Sequence, residues 1–225
     1  MKRKIFLGAG HGGTDSGAIG NNLEEKNLNL NIALACRDDL ERHGVTVLMS
    51  RTKDENDALN EEIKECNAFA PDLAIEIHNN AGGGDGAEAF YHYNGGKGKT
   101  LADNVLNEIV KMGQNSRGAK TRKNASGKDY YGFIRETKAP AIIVECAFID
   151  NKKDIAIIDT AAEQKTMGVA IAKGILKTLG IAYVEPKPTT GVKIYRVQVG
   201  AYSEMKNAVN MQKKLKAAGF DAIIV

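Results

Sequence analysis

No apolar run in this 225-residue sequence approaches the roughly 20 residues that cross a bilayer, so no membrane-spanning helix is expected. An export leader is not legible either. Only Ile5, Phe6 and Leu7 form an unbroken apolar run near Met1, where a secretory signal needs roughly 7 to 15 residues. The expectation is a soluble protein made in the cytoplasm, with its first residues forming a strand. Cysteine is scarce: Cys36, Cys66 and Cys146 are odd in number, lack CxxC spacing and sit inside apolar patterns. They read as reduced core thiols rather than disulfides or metal ligands. Of the four prolines, Pro186 and Pro188 fall together in Glu185–Gly191. Their fixed φ and missing donors discourage regular structure. A linker is therefore expected at 181–191, between a main domain at 1–180 and a small segment at 192–225.

Hydrophobic residues make up 43% of the chain and charged residues 26%, as in an ordinary globular protein. The net charge of +3 is unevenly spread. From Pro186 onward, seven Lys or Arg stand against Glu204 and Asp221, leaving the rest of the chain mildly acidic. A basic appendix suits an anionic polymer, and charge alone does not choose among nucleic acid, membrane surface and wall polymer.

Short β-branched runs at Lys2–Leu7, Val45–Met49, Leu73–His78, Ala87–Tyr93 and Ala141–Ala147 read as strands. Helical periodicity separates most of them, at Leu23–Arg42, Asp57–Ala70, Leu101–Gly113 and Ala162–Leu179, with Gly44 placed to end the first. The alternation predicts an α/β domain with a mostly parallel twisted sheet flanked by helices, its ligand site at the carboxyl ends of the strands. The appendix reads as a small βαβ unit: strand Val192–Val199, helix Ser203–Ala218, strand Phe220–Val225.

The first strand runs into Gly8-Ala-Gly-His-Gly-Gly-Thr-Asp-Ser-Gly17. Gly8, Gly10 and Gly13 satisfy GxGxxG, but polar turn residues continue to Asn22 before any helical periodicity, which argues against a dinucleotide fold. The glycines instead let a metal site approach the backbone. His11, His78 at the end of one strand, and a carboxylate make the two-histidine, one-carboxylate set that binds catalytic zinc and leaves a position for water. Glu25 and Glu145 open on the same edge. Glu25 also suits a helix N-terminus, and His78 a strand-end hydrogen bond. Glu145, flanked by Ile142, Ile143, Val144, Cys146, Ala147 and Phe148, is costly to bury without a function and is the candidate base. His43 and His92 are not expected to be ligands. Arg51 and Arg135 are read first as structural ion-pair partners.

The ordered set Gly-His-Gly-Gly, Glu25-Lys26-Asn-Leu-Asn-Leu, Ser50-Arg51-Thr, Ile77-His78-Asn-Asn-Ala and Ile143-Val-Glu-Cys-Ala-Phe-Ile-Asp-Asn151 resembles the zinc N-acetylmuramoyl-L-alanine amidases of the Amidase_3 type, over roughly residues 2 to 180. The resemblance implies zinc held by His11, Glu25 and His78, with Glu145 as the catalytic carboxylate. It implies cleavage of peptidoglycan at the amide between N-acetylmuramic acid and L-alanine. It chooses Glu25 over Glu24 through the Glu-Lys pair alone. Gly8 and Ala9 stand where the family usually has an acidic residue and often a proline, and Ala147 where it has a glycine, so support for His11 must come from another partner.

The segment Ile194-Tyr-Arg-Val-Gln-Val-Gly-Ala-Tyr202, with the expected helix after it and Gly219-Phe-Asp-Ala-Ile-Ile-Val225, resembles one repeat of a sporulation-related (SPOR) module. That resemblance implies binding to peptidoglycan and neither nucleic acid nor a membrane. A complete module has two repeats, so a homodimer joining two halves is expected, with docking of the half-module onto the parent domain as the alternative. Without a leader, the enzyme is expected to reach the wall after release, as a phage endolysin or a mother-cell-lysis autolysin. The alternatives are a non-catalytic wall-binding protein and a zinc peptidase of other specificity.

Overall fold

The computed structural model of the chain describes residues 2–186, 198–220 and 222. It divides into two compact units, Met1–Val184 and Glu185–Val225. In the first, strands β1 (Lys4–Ala9), β4 (Thr46–Met49), β5 (Leu73–Asn80), β6 (Ala87–Tyr91), β7 (Ser116–Lys120) and β8 (Ala141–Phe148) form one sheet in the order β4-β1-β5-β8-β6-β7. The four strands from β4 to β8 are parallel, β6 runs antiparallel to β8, and β7 follows β6. The sheet is mostly parallel and flanked by helices, as the βαβ alternation predicts.

Period-2 alternation divides the side chains between two faces. Ile5, Leu7, Ile75, Ile77, Ile142 and Val144 pack beneath the long helices α1 (Glu25–Arg42), α3 (Gly96–Val110) and α6 (Ala161–Leu179). Phe6, Ala74, Phe90, Ala141 and Ile143 pack beneath the shorter helices α2 (Leu59–Phe69) and α4 (Gly132–Glu136). Continuing the same parity toward the carboxyl ends of β5 and β8 brings His78 and Glu145 onto this second face. Antiparallel β6 offers Glu88, near its start, to the same edge, directly opposite Glu145.

Helix α1 begins later than the periodicity suggests, because residues 19–24 first make a small hairpin of β2 (Ile19–Gly20) and β3 (Leu23–Glu24). Asn21 and Asn22 turn it at positive φ, a conformation asparagine tolerates. The helix ends before Gly44, at φ 76, as expected. α6 carries a full capping box from Thr160 and Glu163. Strand β7, short helix α4 and α5 (Lys152–Ile155) have too little periodicity to be read from sequence.

The start of the expected linker is tied to the first unit. Arg42 Nη1 donates to the Val184 carbonyl at 2.6 Å, and the Val184 N–H donates to His43 Nε2 at 3.0 Å. The second unit contains α7 (Met205–Ala217) where Ser203–Ala218 is expected helical. Of the two strands expected around it, 192–197, 221 and 223–225 lie outside the described residues.

Candidate metal centre and its carboxylates

His11, Glu25 and His78 converge at the carboxyl end of the sheet, each offering a ligand atom within 4.8 Å of the others. His11 comes from the loop after β1, Glu25 from the first residue of α1 and His78 from β5. His11 Nε2 lies 3.3 Å from Glu25 Oε2, and His78 Nδ1 lies 3.0 Å from Glu25 Oε1. The two imidazoles meet edge to face at 5.0 Å. A Cβ at Gly10 would collide with the His78 ring, which accounts for glycine there.

Glu25 is 4% exposed and held from several sides. Its Oε2 accepts from the Ala18 N–H at 2.9 Å, and its Oε1 from the Asn79 N–H at 3.1 Å and Asn29 Nδ2 at 3.3 Å. Burial opposes its charge, but hydrogen bonds from His11 and His78 outweigh that and hold the carboxyl well below the usual range. Glu24 points elsewhere, accepting from Asn27 Nδ2 at 3.0 Å on the surface. Asn29 is fully buried, and its Nδ2 also donates to the Gly10 carbonyl at 2.9 Å while its Oδ1 accepts from Asn79 Nδ2 at 2.9 Å.

His11 adopts φ 64, a left-handed conformation that costs about 1 to 3 kcal/mol when a non-glycine residue is forced into it. Arg51 supplies the restraint. It is 2% exposed and donates to the carbonyls of Ala9 at 2.8 Å, Gly10 at 3.3 Å and Lys26 at 2.7 Å, clamping the His11 loop to α1. Its role is structural, through carbonyls rather than an ion pair. Arg135 lies apart, with Nη2 bonded to Glu136 at 2.7 Å and Nη1 to the carbonyls of Asp129 and Tyr130.

The acidic partner that Gly8 cannot provide comes from Asp15, whose Oδ2 is 2.8 Å from His11 Nδ1. The space at Gly8 is taken by another carboxylate: a Cβ there would strike Glu62 Oε1. Burial, with Glu76 and Asp57 nearby, pushes the Glu62 carboxyl well above its ordinary range. Glu76 Oε1 stands 3.5 Å from His78 Nε2. Glu62 and Glu76 are functional-edge residues that sequence reasoning missed, since a single Glu in a helix or an alternating strand carries no signal of where it points.

Glu145 sits beside His78 in the β5–β8 register. Its Oε2 is shut off from solvent and has no hydrogen-bond partner. Burial is the main cause that pushes its carboxyl up to about 7; His78 opposes this, and Glu25, Glu88 and Glu76 add to it. Cys146, next in the strand, points the other way into the core, and all three thiols are buried and free. Burial raises each above its ordinary value, Cys66 to about 12.

The N-acetylmuramoyl-L-alanine amidase family model, Amidase_3, matches residues 5–177. The chain belongs to this family. A SPOR domain model matches residues 171–225. The sporulation-specific N-acetylmuramoyl-L-alanine amidase of Bacillus subtilis is 34% identical over 226 residues, covering 99% of this chain and 84% of that protein. The endolysin of Bacillus phage SPP1 is 31% identical over 190 residues, covering 80% and 68%. Among solved structures, Cwp6 from Clostridium difficile superposes with a TM-score of 0.78 at 41% identity, covering 80% of this chain and 30% of that one. A separate cleft of about 330 Å³, lined by His92, Lys97, Arg135 and Lys138 among others, contains none of the converging residues.

Proposed function

We propose that the chain is a zinc-dependent peptidoglycan amidase that hydrolyses the bond between the lactyl group of N-acetylmuramic acid and the L-alanine of the stem peptide. The observation that carries this reading is the donor set: two imidazoles and a carboxylate within 4.8 Å, with the unpartnered Glu145 carboxylate beside them. Nitrogen and oxygen donors in that number suit zinc with a position left open. His11 Nε2, Glu25 and His78 Nδ1 would hold the ion, with Asp15 on the far nitrogen of His11. Zinc in such a site polarises a carbonyl and lowers the pKa of water toward ~7.

Glu145 carries the proton chemistry. In the metal-free protein burial carries its carboxyl up to about 7, and a carboxyl raised in this way suits one group acting first as base and then as acid. It takes a proton from the water that attacks the lactyl carbonyl carbon. As the C–N bond breaks, it delivers a proton to the departing L-alanine nitrogen. The products are a muramic acid carboxylate and a free L-alanine amine.

The SPOR match supports peptidoglycan binding by the C-terminal segment. Pairing of two half-modules into a homodimer belongs to the same proposal, and a monomer by light scattering at micromolar concentration removes it. The enzyme is proposed to meet the wall after release from the cell that makes it, as endolysin or autolysin.

The test is lysis of purified peptidoglycan by wild type and Glu145→Ala, with zinc content measured for both. Lysis abolished with zinc retained is the expected result, together with new L-alanine amines in the wild-type digest. Unchanged lysis by Glu145→Ala refutes this mechanism. Release of a different amine points to a zinc peptidase, and no cleavage by wild type to a wall-binding protein.

A further inference from the structure

We propose that a basic wall formed by Arg117, Lys120, Arg122 and Lys123 is a subsite for a free carboxylate of the stem peptide, on the leaving side of the scissile amide; this rests on the amidase reading above. The wall is β7 and its exit. Glu88 lies opposite Glu145 across β6 and β8, and Gly118 lies beside Glu88 across β6 and β7. Neighbouring strands are about 4.8 Å apart, which sets Gly118 roughly 10 Å from Glu145. β7 then runs back along the sheet away from that edge, so Arg122 approaches the site through Tyr131 rather than through the strand register.

The charge there exceeds what the protein neutralises. Glu88 is 6% exposed; its Oε2 accepts from Arg117 Nε at 2.8 Å and from Lys120 Nζ, and its Oε1 from Asn80 Nδ2 at 2.9 Å. One carboxylate thus faces two cations, and Arg122 and Lys123 come next with no carboxylate bonded to either among the described residues. Aromatic rings hold these two instead. Arg122 lies 3.8 Å from the Tyr130 ring centroid and Lys123 4.2 Å from that of Tyr93. A cation on a ring face keeps its charge available to an anion while its side chain is steadied. Tyr131 links the wall to the site: its hydroxyl bonds Arg122 and lies in the field of Glu145 and Glu88.

The opposite flank cannot serve. Asp15, Asp54, Glu62 and Glu76 gather there, and its cations are committed, Arg51 to carbonyls and Lys26 to Asp54 at 2.9 Å and the Gly13 carbonyl at 2.9 Å. An acidic peptide leaving the reaction centre is therefore drawn toward β7 and repelled from β4. The reach matches. An extended peptide advances roughly 3.3 to 3.6 Å per residue, so the carboxyl of the residue after L-alanine arrives about 7 to 10 Å beyond the scissile bond. In peptidoglycan that residue is a glutamate whose α-carboxyl is either free or amidated, an uncharged and nearly isosteric alternative.

The experiment compares zinc-loaded full chain on two purified peptidoglycans, one with the stem glutamate α-carboxyl free and one with it amidated, reading released L-alanine amine. Wild type is expected to favour the free acid by roughly 10-fold in kcat/KM, and to lose that preference as salt rises. The double variant Arg122→Gln, Lys123→Gln brings the ratio near one, and Arg122→Lys restores part of it. Equal rates on both substrates by wild type, or an unchanged ratio in the double variant, overturn the subsite and leave the amidase reading standing. Release from neither substrate overturns both.

Discussion

Two carboxylates at the same sheet edge meet opposite surroundings. At the β1–α1 corner, Glu25 is met by two imidazoles, two backbone N–H groups and the Asn29 amide, and its charge is held well below the ordinary carboxylate range. At the end of β8, Glu145 has an oxygen with no donor at all, and burial carries it up to about 7. A cation is expected where the protein has prepared a permanently charged acceptor, and proton transfer where it has withheld hydrogen bonds. On the proposed reading, environment alone would give binding to one corner and chemistry to the other.

The largest effect comes from emptying the corner. Glu25→Ala removes the acceptor for several buried donors, each worth about 1 to 3 kcal/mol when left unsatisfied, so loss of zinc, loss of lysis and a clear drop in urea stability are expected together. Glu24→Ala, on an exposed side chain, leaves zinc per chain unchanged in the same elemental analysis. Equal zinc loss in both variants breaks the comparison.

At the other end, Glu145→Gln lowers kcat by roughly 10²- to 10⁴-fold, the usual worth of a positioned acid–base group, while zinc stays bound. It also gives a pH signature in the metal-free protein. Folding raises this carboxyl above its unfolded value, so folding disfavours its ionised form. Glu145 therefore lowers stability progressively as pH climbs from its ordinary 4.5 to about 7. Depressed groups such as Glu25 contribute in the opposite sense and are common to both proteins. The difference in unfolding free energy between Glu145→Gln and wild type is expected to grow across that window in favour of the variant. A difference independent of pH would show that Glu145 is not desolvated as described.

How much of the fold and site is legible in the sequence depends on which residues carry patterns. The sheet and its long helices are visible because Ile5, Leu7, Ile75, Ile77, Ile142 and Val144 alternate and α1 and α6 repeat with helical period. His11, His78 and Glu145 stand out because polar residues interrupt or end such runs. Glu25 needs the family's Glu-Lys pair, since helix periodicity does not tell Glu24 from Glu25. Glu62, Glu76 and the Arg117–Lys123 wall are not legible. Their meaning depends on a helix crossing under Gly8 and on β7 joining the sheet through β6, which are long-range facts. Arg51 reads as an ion-pair partner in the sequence because a sequence shows side chains, whereas its acceptors are carbonyls.

The smallest effect sharpens how the corner is built. Asp15 is largely exposed, yet it touches His11 Nδ1 at 2.8 Å and accepts from the Gly17 N–H at 3.0 Å. It fixes the ring so that Nε2 faces Glu25. A partner of this kind typically changes metal affinity by roughly 10- to 100-fold, and exposure places Asp15 at the lower end. Asp15→Asn keeps the shape and an acceptor oxygen, so a loss of a few-fold in zinc affinity is expected, measured by competition with a chelator, and Asp15→Ala should approach 10-fold. The order Ala, then Asn, then wild type distinguishes a partner that orients the ring from one that only adds negative charge, for which Asn and Ala would weaken zinc equally. Such equality would move the support of His11 from this hydrogen bond to the backbone clamp that Arg51 places on its loop.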